Sequence, residues 1–324
     1  MSTVTSGGAT SSGTGLHPTS AEPAKISIRR QSPRYGERAV MALLGLAGAL
    51  SVVITVGIVV ALLLPALDFF REVNVWDFLS GTRWAPRFSN PDFGVLPLIT
   101  GTLWTTALAL LVAVPVGLGA AIYLAEYASP RVRKVFKPAL EVLAGIPSVV
   151  YGYFALAFVA PVLLEKIMRI ELGTFSVLAA GLVLGIMIIP TVASLSEDAL
   201  SAVPQALRQG SLALGANRMR TTLRVVFPAA ISGIAASIVL GLSRAVGETM
   251  IVALAAGNQA RMVDGATQDG QTMTGFIAQT ATGESTPGTL GYNTLFAVGL
   301  LLFTVTLLIN MISIRLVRRF REAY

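Results

Sequence analysis

Residues 39–67 form a run of 29 uncharged and mostly apolar residues, and five more long apolar runs follow it. These extend from Phe93 to Ala125, Val142 to Leu164, Leu172 to Leu195, Ala229 to Ala256 and Leu290 to Ile314. About 20 apolar residues carry a helix across the hydrocarbon of a bilayer, so each run is long enough to be a span. No water is present there to satisfy exposed amides, which leaves the internally bonded helix as the structure for such a run. The first run is too long for the apolar part of a cleaved signal and reads as a retained span. Pro97, Pro115 and Pro190 lie within or at the ends of runs, where neighbouring helices can satisfy the freed carbonyls. The expected fold is an all-α integral membrane protein with six transmembrane helices.

Composition agrees with this, since 54% of the residues are hydrophobic and 13% are charged. The net charge of +7 raises the question of nucleic acid, and the placement of the charges answers it. Seventeen basic residues flank the runs on one side: Lys25 to Arg38 in the tail, Arg131 to Lys137, Arg208 to Arg224, and Arg315 to Arg321. Six lie on the other side, namely Arg71, Arg83, Arg87, Lys166, Arg169 and Arg261. The heavier side belongs in the cytoplasm, which puts both termini there. Basic patches spread over four membrane-flanking segments suit anionic lipid, whereas a nucleic-acid footprint gathers them on one folded face. No nucleic-acid partner is expected.

Residues 1–38 read as a disordered basic tail, rich in Ser, Thr, Gly and Ala before its cluster of cations. Residues 39–324 then form the membrane domain. The outer segments Asp68 to Asp92 and Asn258 to Thr289 are candidate docking surfaces or plain solvated linkers, and Trp76 and Trp84 in the first can sit at headgroup level.

The polar segment 196–228 is too regular for a random loop. Ser196 can cap a helix with Glu197 and Asp198 in its first turn. Pro204 can open a second helical piece with Leu207, Gly210 and Leu214 on one face, and Gly215 can end it. The apolar run that follows contains Arg244 and Glu248, the only charges well inside any run. A charge at the bilayer centre costs about 3 kcal/mol, so both must face protein or water. Their spacing of four residues permits pairing on one helix face, with the order of acid and base reversed from the better one. Two readings stand: a transport path or gate, and a buried pair that joins helices.

Gln209-Gly210-Ser211, Gly215, Val225 and Phe227-Pro228 match in spacing the cytoplasmic "EAA" loop of ABC-importer permeases, with Gln209-Gly210-Ser211 standing where Glu-Ala-Ala would. The stretch GLSRAVGETM, residues 241–250, together with Phe93 to Pro130 and Leu140 to Leu156, resembles the phosphate-specific permeases of the PstC type. That resemblance implies a type I ABC-importer membrane subunit in the bacterial inner membrane, forming the path for inorganic phosphate. It implies as partners a PstA-like second permease, two PstB-like ATPase subunits and a PstS-like binding protein, with ATP and magnesium held by the ATPase and no cofactor on this chain. Residues 209, 210, 211, 215 and 228 would then form the loop that couples to the ATPase. Read physically, Gly101, Gly117, Gly119, Gly145 and Gly152 are small residues that let helices approach. A PstA-like sister, a permease for sulfate or molybdate, and an ion-coupled secondary carrier are the alternatives. The carrier would show repeated halves, and no convincing internal repeat is found.

Catalysis by the chain itself finds no support. There is no Gly-Lys dipeptide, hence no phosphate loop for ATP. Cysteine is absent and the single histidine, His17, lies in the tail, so neither a metal cluster nor a triad can be assembled. A reporter fused after Tyr324 is expected to be active only if it works in the cytoplasm. Activity of a reporter that requires export would overturn the orientation.

Overall fold

The computed structural model describes residues 35–319 apart from 89, 284, 285 and 287. The expected tail up to residue 34, and Arg321, lie outside these. The described chain is helical almost throughout. Helix α1 spans Tyr35–Glu72, so residues 35–38 belong to it rather than to a tail. Residues up to Ile54 form one compact unit and those from Thr55 another. In the first unit Val40, Met41, Leu46 and Val52, which lie around the helix, are all exposed, the all-round apolar surface of a helix made for lipid.

In the second unit α2 (Val75–Ser80) precedes a hairpin of β1 (Trp84–Ala85) and β2 (Asp92–Phe93), paired antiparallel. Helix α3, Leu96–Ile122, continues through a wider π-helical turn, Tyr123–Tyr127. Then come α4 (Pro130–Ala144), α5 (Ser148–Phe154) running on as π-helix Ala155–Ile167, and α6 (Val177–Ser201). The basic-side loop holds α7 (Gln205–Ala213) and α8 (Arg218–Thr221), followed by a π-helical turn, Thr222–Val226. Short α9 (Phe227–Ala229) leads into α10 (Ile231–Val246), α11 (Met250–Ala255), α12 (Met273–Thr282) and α13 (Leu290–Arg319).

Among the described residues five helical stretches are long and apolar enough to cross a membrane: Tyr35–Glu72, Leu96–Tyr127, Ser148–Ile167, Val177–Ser201 and Leu290–Arg315. The sixth candidate is a pair, Arg218–Ala229 and Ile231–Val246, bent by 70°. The bend falls at Ala230, two residues past Pro228. The third span starts at Ser148 because α4 stops at Gly145 and Pro147 resets the chain.

The core is built on α3 against α6. A Cβ on Gly185 would lie 2.8 Å from the Ala109 carbonyl oxygen, and one on Gly181 would lie 2.6 Å from Leu108 Cβ. The two backbones therefore approach at positions where only glycine fits, which is how helices associate without a hydrophobic drive. Ala109, Ala113, Ala180, Val183 and Leu184 fill the seam and are fully buried. Of the glycines expected to allow close approach, Gly101, Gly117 and Gly152 do face another segment within 3.1 Å or less. Gly119 faces open space and Gly145 only carbonyls of its own helix, so packing does not explain those two.

The outer segments are not plain linkers. The Ala266 and Gln268 carbonyls accept from Leu178 and Val177 N–H at 2.8 and 2.9 Å, satisfying amides that the start of α6 would otherwise leave unpaired. Trp104 Nε1 donates to the Val263 carbonyl at 2.8 Å. In the first outer segment Trp84 is buried in an edge-to-face cluster with Phe78 and Phe276, while Trp76 is exposed. Trp84 thus serves the core, not the headgroup level.

Adding bulk at the glycine seam should cost about 1–3 kcal/mol or more, because the neighbour is backbone and cannot turn away. Gly185→Val is expected to lower the melting temperature of the detergent-purified protein by several degrees, and Gly119→Val to leave it nearly unchanged. Equal effects at the two positions would show that α3 and α6 are not held by this contact.

Candidate coupling and gating site

Two groups of polar residues are set on this scaffold. The first lies on the basic side. Helix α4 carries Arg133 and Lys137 one turn apart, capped at its start by Ser129, whose hydroxyl accepts from Val132 N–H at 3.4 Å. Both cations reach Glu197 of α6. Arg133 Nη2 donates to Glu197 Oε1, Lys137 Nζ donates to Glu197 Oε2 at 2.9 Å, and Ser201 Oγ donates to Glu197 Oε1 at 2.9 Å. Lys137 also donates to Asp198 at 2.7 Å. The Glu197 side chain is only 2% exposed, and these donors satisfy its oxygens. The carboxylates of Asp198 and Glu197 hold the Lys137 ammonium above the usual lysine range. A raised lysine value adds stability that is complete below the ordinary range and lost as pH rises through the raised value. Across physiological pH Lys137 stays charged.

This overturns the reading of Ser196 as a helix start. Helix α6 runs on to Ser201, Ser196 is buried against Ser237 with their oxygens 2.6 Å apart, and Glu197 and Asp198 lie in the last turns of α6. A buried hydroxyl pair and a cation clamp hold this segment helical where its capping residues alone favour a boundary. The sequence did hold a signal, since Arg133 and Lys137 share a helix face four residues apart. Their acidic partner, 64 and 60 residues away, could not be identified from it.

Beyond α6 the loop helix α7 is open to solvent. Gln209, Gly210 and Pro228 are exposed, and Ser211 meets Thr221 with hydroxyl oxygens 2.9 Å apart. Gly215 ends the helical piece with φ +81°, a conformation that costs other residues about 1–2 kcal/mol. A Cβ there would meet nothing within 4 Å, so the backbone alone asks for glycine. Next to it Leu214 is 90% exposed and Leu212 half-exposed, an apolar tip on the helix. The face shared by Leu207, Gly210 and Leu214 divides accordingly, with Leu207 half-buried toward the bundle.

The second group surrounds the end of α10. Arg244 Nη1 donates to Thr191 Oγ1 of α6 at 3.0 Å. Glu248 does not pair with it. Helix α10 ends at Val246, and the Glu248 carboxylate accepts from Met250 and Ile251 N–H at 3.0 and 3.3 Å, opening α11. The helix face expected to join the two charges is interrupted at Gly247, because a carboxylate that takes up free amides at a helix start gains from the dipole as well. The Glu248 carbonyl accepts from Thr274 Oγ1 at 2.6 Å, which ties the break to α12. Among the described residues Arg244 has no carboxylate within ion-pairing distance, and it is half-buried. Ser243 beside it donates to Asn310 of α13 at 2.6 Å. Among the described residues no cluster could hold a metal ion.

A set of apolar spans, a basic-side loop with an exposed helical tip and an intramembrane cation define a membrane-embedded subunit of a transport machine. The chain belongs to the family described as the binding-protein-dependent transport system inner membrane component, which matches residues 113–322. It is thus a multi-pass protein of the inner membrane. It is 38% identical over 247 residues to the probable ABC transporter permease protein YqgH of Bacillus subtilis (strain 168), covering 75% of this chain and 79% of that protein. It is 34% identical over 255 residues to the phosphate transport system permease protein PstC of Mesorhizobium japonicum, covering 74% and 77%. With PstC 1 of Mycobacterium tuberculosis the identity is 34% over 285 residues, covering 76% and 83%. Among solved structures, a bacterial alginate ABC transporter in complex with an alginate pentasaccharide-bound periplasmic protein matches with TM-score 0.60 at 17% identity, covering 90% of this chain and 99% of that one. An inward-facing MetNI methionine ABC transporter matches with TM-score 0.52 at 20% identity, covering 71% and 95%. The fold is that of ABC-importer permeases. Membership of this family sets aside the ion-coupled carrier.

Stranding the buried carboxylate should harm the protein more than neutralising it. Arg133→Met with Lys137→Met leaves Glu197 buried and unpaired, at a cost of about 3–5 kcal/mol. Glu197→Gln keeps the shape and is expected to cost less. Thermal unfolding of the two variants in detergent ranks them, and the opposite order would mean that Glu197 is not anchored through its charge.

Proposed function

We propose that this chain is the PstC-type permease subunit of an ATP-driven phosphate importer. The observation that carries this reading is the identity of about one third, over three quarters of the chain, with proteins named as phosphate transport system permeases. The basic side faces the cytoplasm, and residues 196–228 are the coupling loop. The Leu214 tip of α7 enters a cleft on the ATPase, and the turn at Gly215 aims it. The chain binds no cofactor; ATP and magnesium belong to two PstB-like subunits. A PstA-like permease completes the path and a PstS-like protein delivers phosphate to the outer segments. The relatives named PstC favour this type over the PstA sister and over permeases for sulfate or molybdate.

Arg244 is the residue most suited to the anion. Phosphate near neutral pH carries one or two negative charges, and a narrow path of low dielectric needs a compensating charge or donors. The guanidinium is a planar fork that matches phosphate oxygens, and among the described residues no carboxylate pairs with it. Glu248 shapes the gate by holding the start of α11 next to that fork.

Radiolabelled phosphate uptake by cells carrying the complete system tests the reading. Arg244→Gln is expected to lower uptake about 10–100-fold while the complex still assembles, the effect of losing one charge-assisted contact. Glu248→Gln is expected to be milder, because its amide oxygen still accepts from Met250 and Ile251. An active Arg244→Met, Glu248→Leu double variant would remove these residues from the path. Uptake of sulfate in place of phosphate by the unsubstituted system would change the substrate.

A further inference from the structure

Arg208 lies in α7, four residues past the proline that opens the loop helix, yet its side chain turns back toward the bundle. Its Nε and Nη2 donate to Glu126 Oε1 at 3.2 and 2.9 Å, and Glu126 sits in the π-helical turn that ends the α3 span. Nη2 also donates to the Leu200 carbonyl at 2.7 Å, and Nη1 to the Val203 carbonyl. Those carbonyls lie at and just beyond the end of α6, where four acceptors have no partner within the helix. A single side chain thus closes three segments on one another. The site is buried, with the side chains of Arg208 and Glu126 12% and 8% exposed. The other cations of the loop are elsewhere: Arg218 stacks on the Tyr127 ring, and Arg220 and Arg224 are exposed.

Stability alone accounts poorly for this arrangement. A buried ion pair contributes little against apolar side chains of the same volume, whereas a fork with fixed donor directions fixes geometry. The segments it joins have a mechanical meaning. Helices α3 and α6 are the pair locked at Gly181 and Gly185, and α7 carries the exposed Leu214 tip. Helix α6 also bears Thr191, the partner of Arg244. From Leu200 to Thr191 the path stays within one helix and is about 14 Å long at 1.5 Å per residue.

We propose that Arg208 is the positioning residue that makes α7 and the α3–α6 pair a single rigid body, so that displacement of the loop tip reaches Thr191 and Arg244 without slack. The inference rests on the coupling role given to α7 above. Glu126 supplies the fixed charge, and the Leu200 and Val203 carbonyls fix the angle of the fork. An ion pair without the carbonyls would tether α7 while leaving it free to pivot.

The chain has no cysteine, so introduced ones carry spin labels at chosen positions only. Tyr123 and Ala206 are exposed and lie on the two segments the clamp joins, Ala206 at the end of α7 away from the Leu214 tip. With Tyr123→Cys and Ala206→Cys labelled in the complete complex, the expected distance distribution is single, and it is the same with and without a non-hydrolysable ATP analogue. A distance that shifts with nucleotide would overturn the proposal. Glu126→Gln on this background is expected to broaden the distribution and raise the ATP hydrolysed per phosphate imported by about tenfold. An unchanged ratio would overturn it too. In the reversed pair, Glu126→Arg with Arg208→Glu, a carboxylate faces the two carbonyls and cannot donate to them, so coupling should stay lost; rescue would reduce the clamp to a simple ion pair and overturn its geometric role. Distances read with nucleotide alone do not depend on the substrate, so failure of the phosphate reading would be seen separately, in uptake by the unsubstituted complex.

Discussion

The contact on which the rest of the structure depends is the glycine seam between α3 and α6. In lipid no hydrophobic gain draws two helices together, so their association relies on close packing and on polar contacts between them. Gly181 and Gly185 bring the α6 backbone against Leu108 and Ala109, closer than any side chain allows. Once that distance is set, α6 becomes a buried rod whose polar groups are held in known directions. Thr191 faces α10, Ser196 faces Ser237, and Glu197 faces the cations of α4. Helices α4 and α10 are thus attached to α6 by directional bonds as well as by apolar contact.

This organisation explains why polar residues in an apolar chain are informative. Leucine and valine pack in many registers, but Glu197 is satisfied only where Arg133, Lys137 and Ser201 converge. The clamp therefore fixes the rotation of α4 relative to α6 as well as their proximity. Similarly, the outer segment donates its carbonyls to the first amides of α6, so a stretch resembling a linker becomes part of the helix end. Polar residues here act at helix ends and between helices.

The sequence made the spans, the charge asymmetry and the helix–glycine–helix loop legible, because each depends on a local pattern: run length, charge position and a glycine after a helical face. Gly215 is the clearest case, with the left-handed conformation its position implied. Pairings across the fold were not legible. Glu197 looked like a first-turn carboxylate because Ser-Glu-Asp is a good helix opening in isolation, and the buried Ser196–Ser237 contact that outweighs it is a tertiary fact. Arg244 and Glu248 looked like partners because four residues separate them in one apolar run. Gly247 and the free amides of Met250 and Ile251 divide that run, and the carboxylate takes the nearer donors.

In the phosphate path proposed above, that division bears on gating. Had the two charges been paired on one helix face, Arg244 would need to break an ion pair in low dielectric before meeting an anion. Instead its visible bond is to a neutral hydroxyl, so no opposite charge has to be separated from the guanidinium before it meets an anion. An incoming anion can displace Thr191 at small cost, while Glu248 stays occupied by amides of α11. The carboxylate that would repel the anion is thus partly neutralised by backbone donors, and the cation that would attract it is left available. Because Thr191 belongs to the same rod that meets the basic-side loop near Leu200, any rotation of that rod changes how much of the guanidinium is held and how much is offered. In the proposed path, attraction for the anion at the break in α10 and motion at the opposite end of α6 would then be two readings of one helix position.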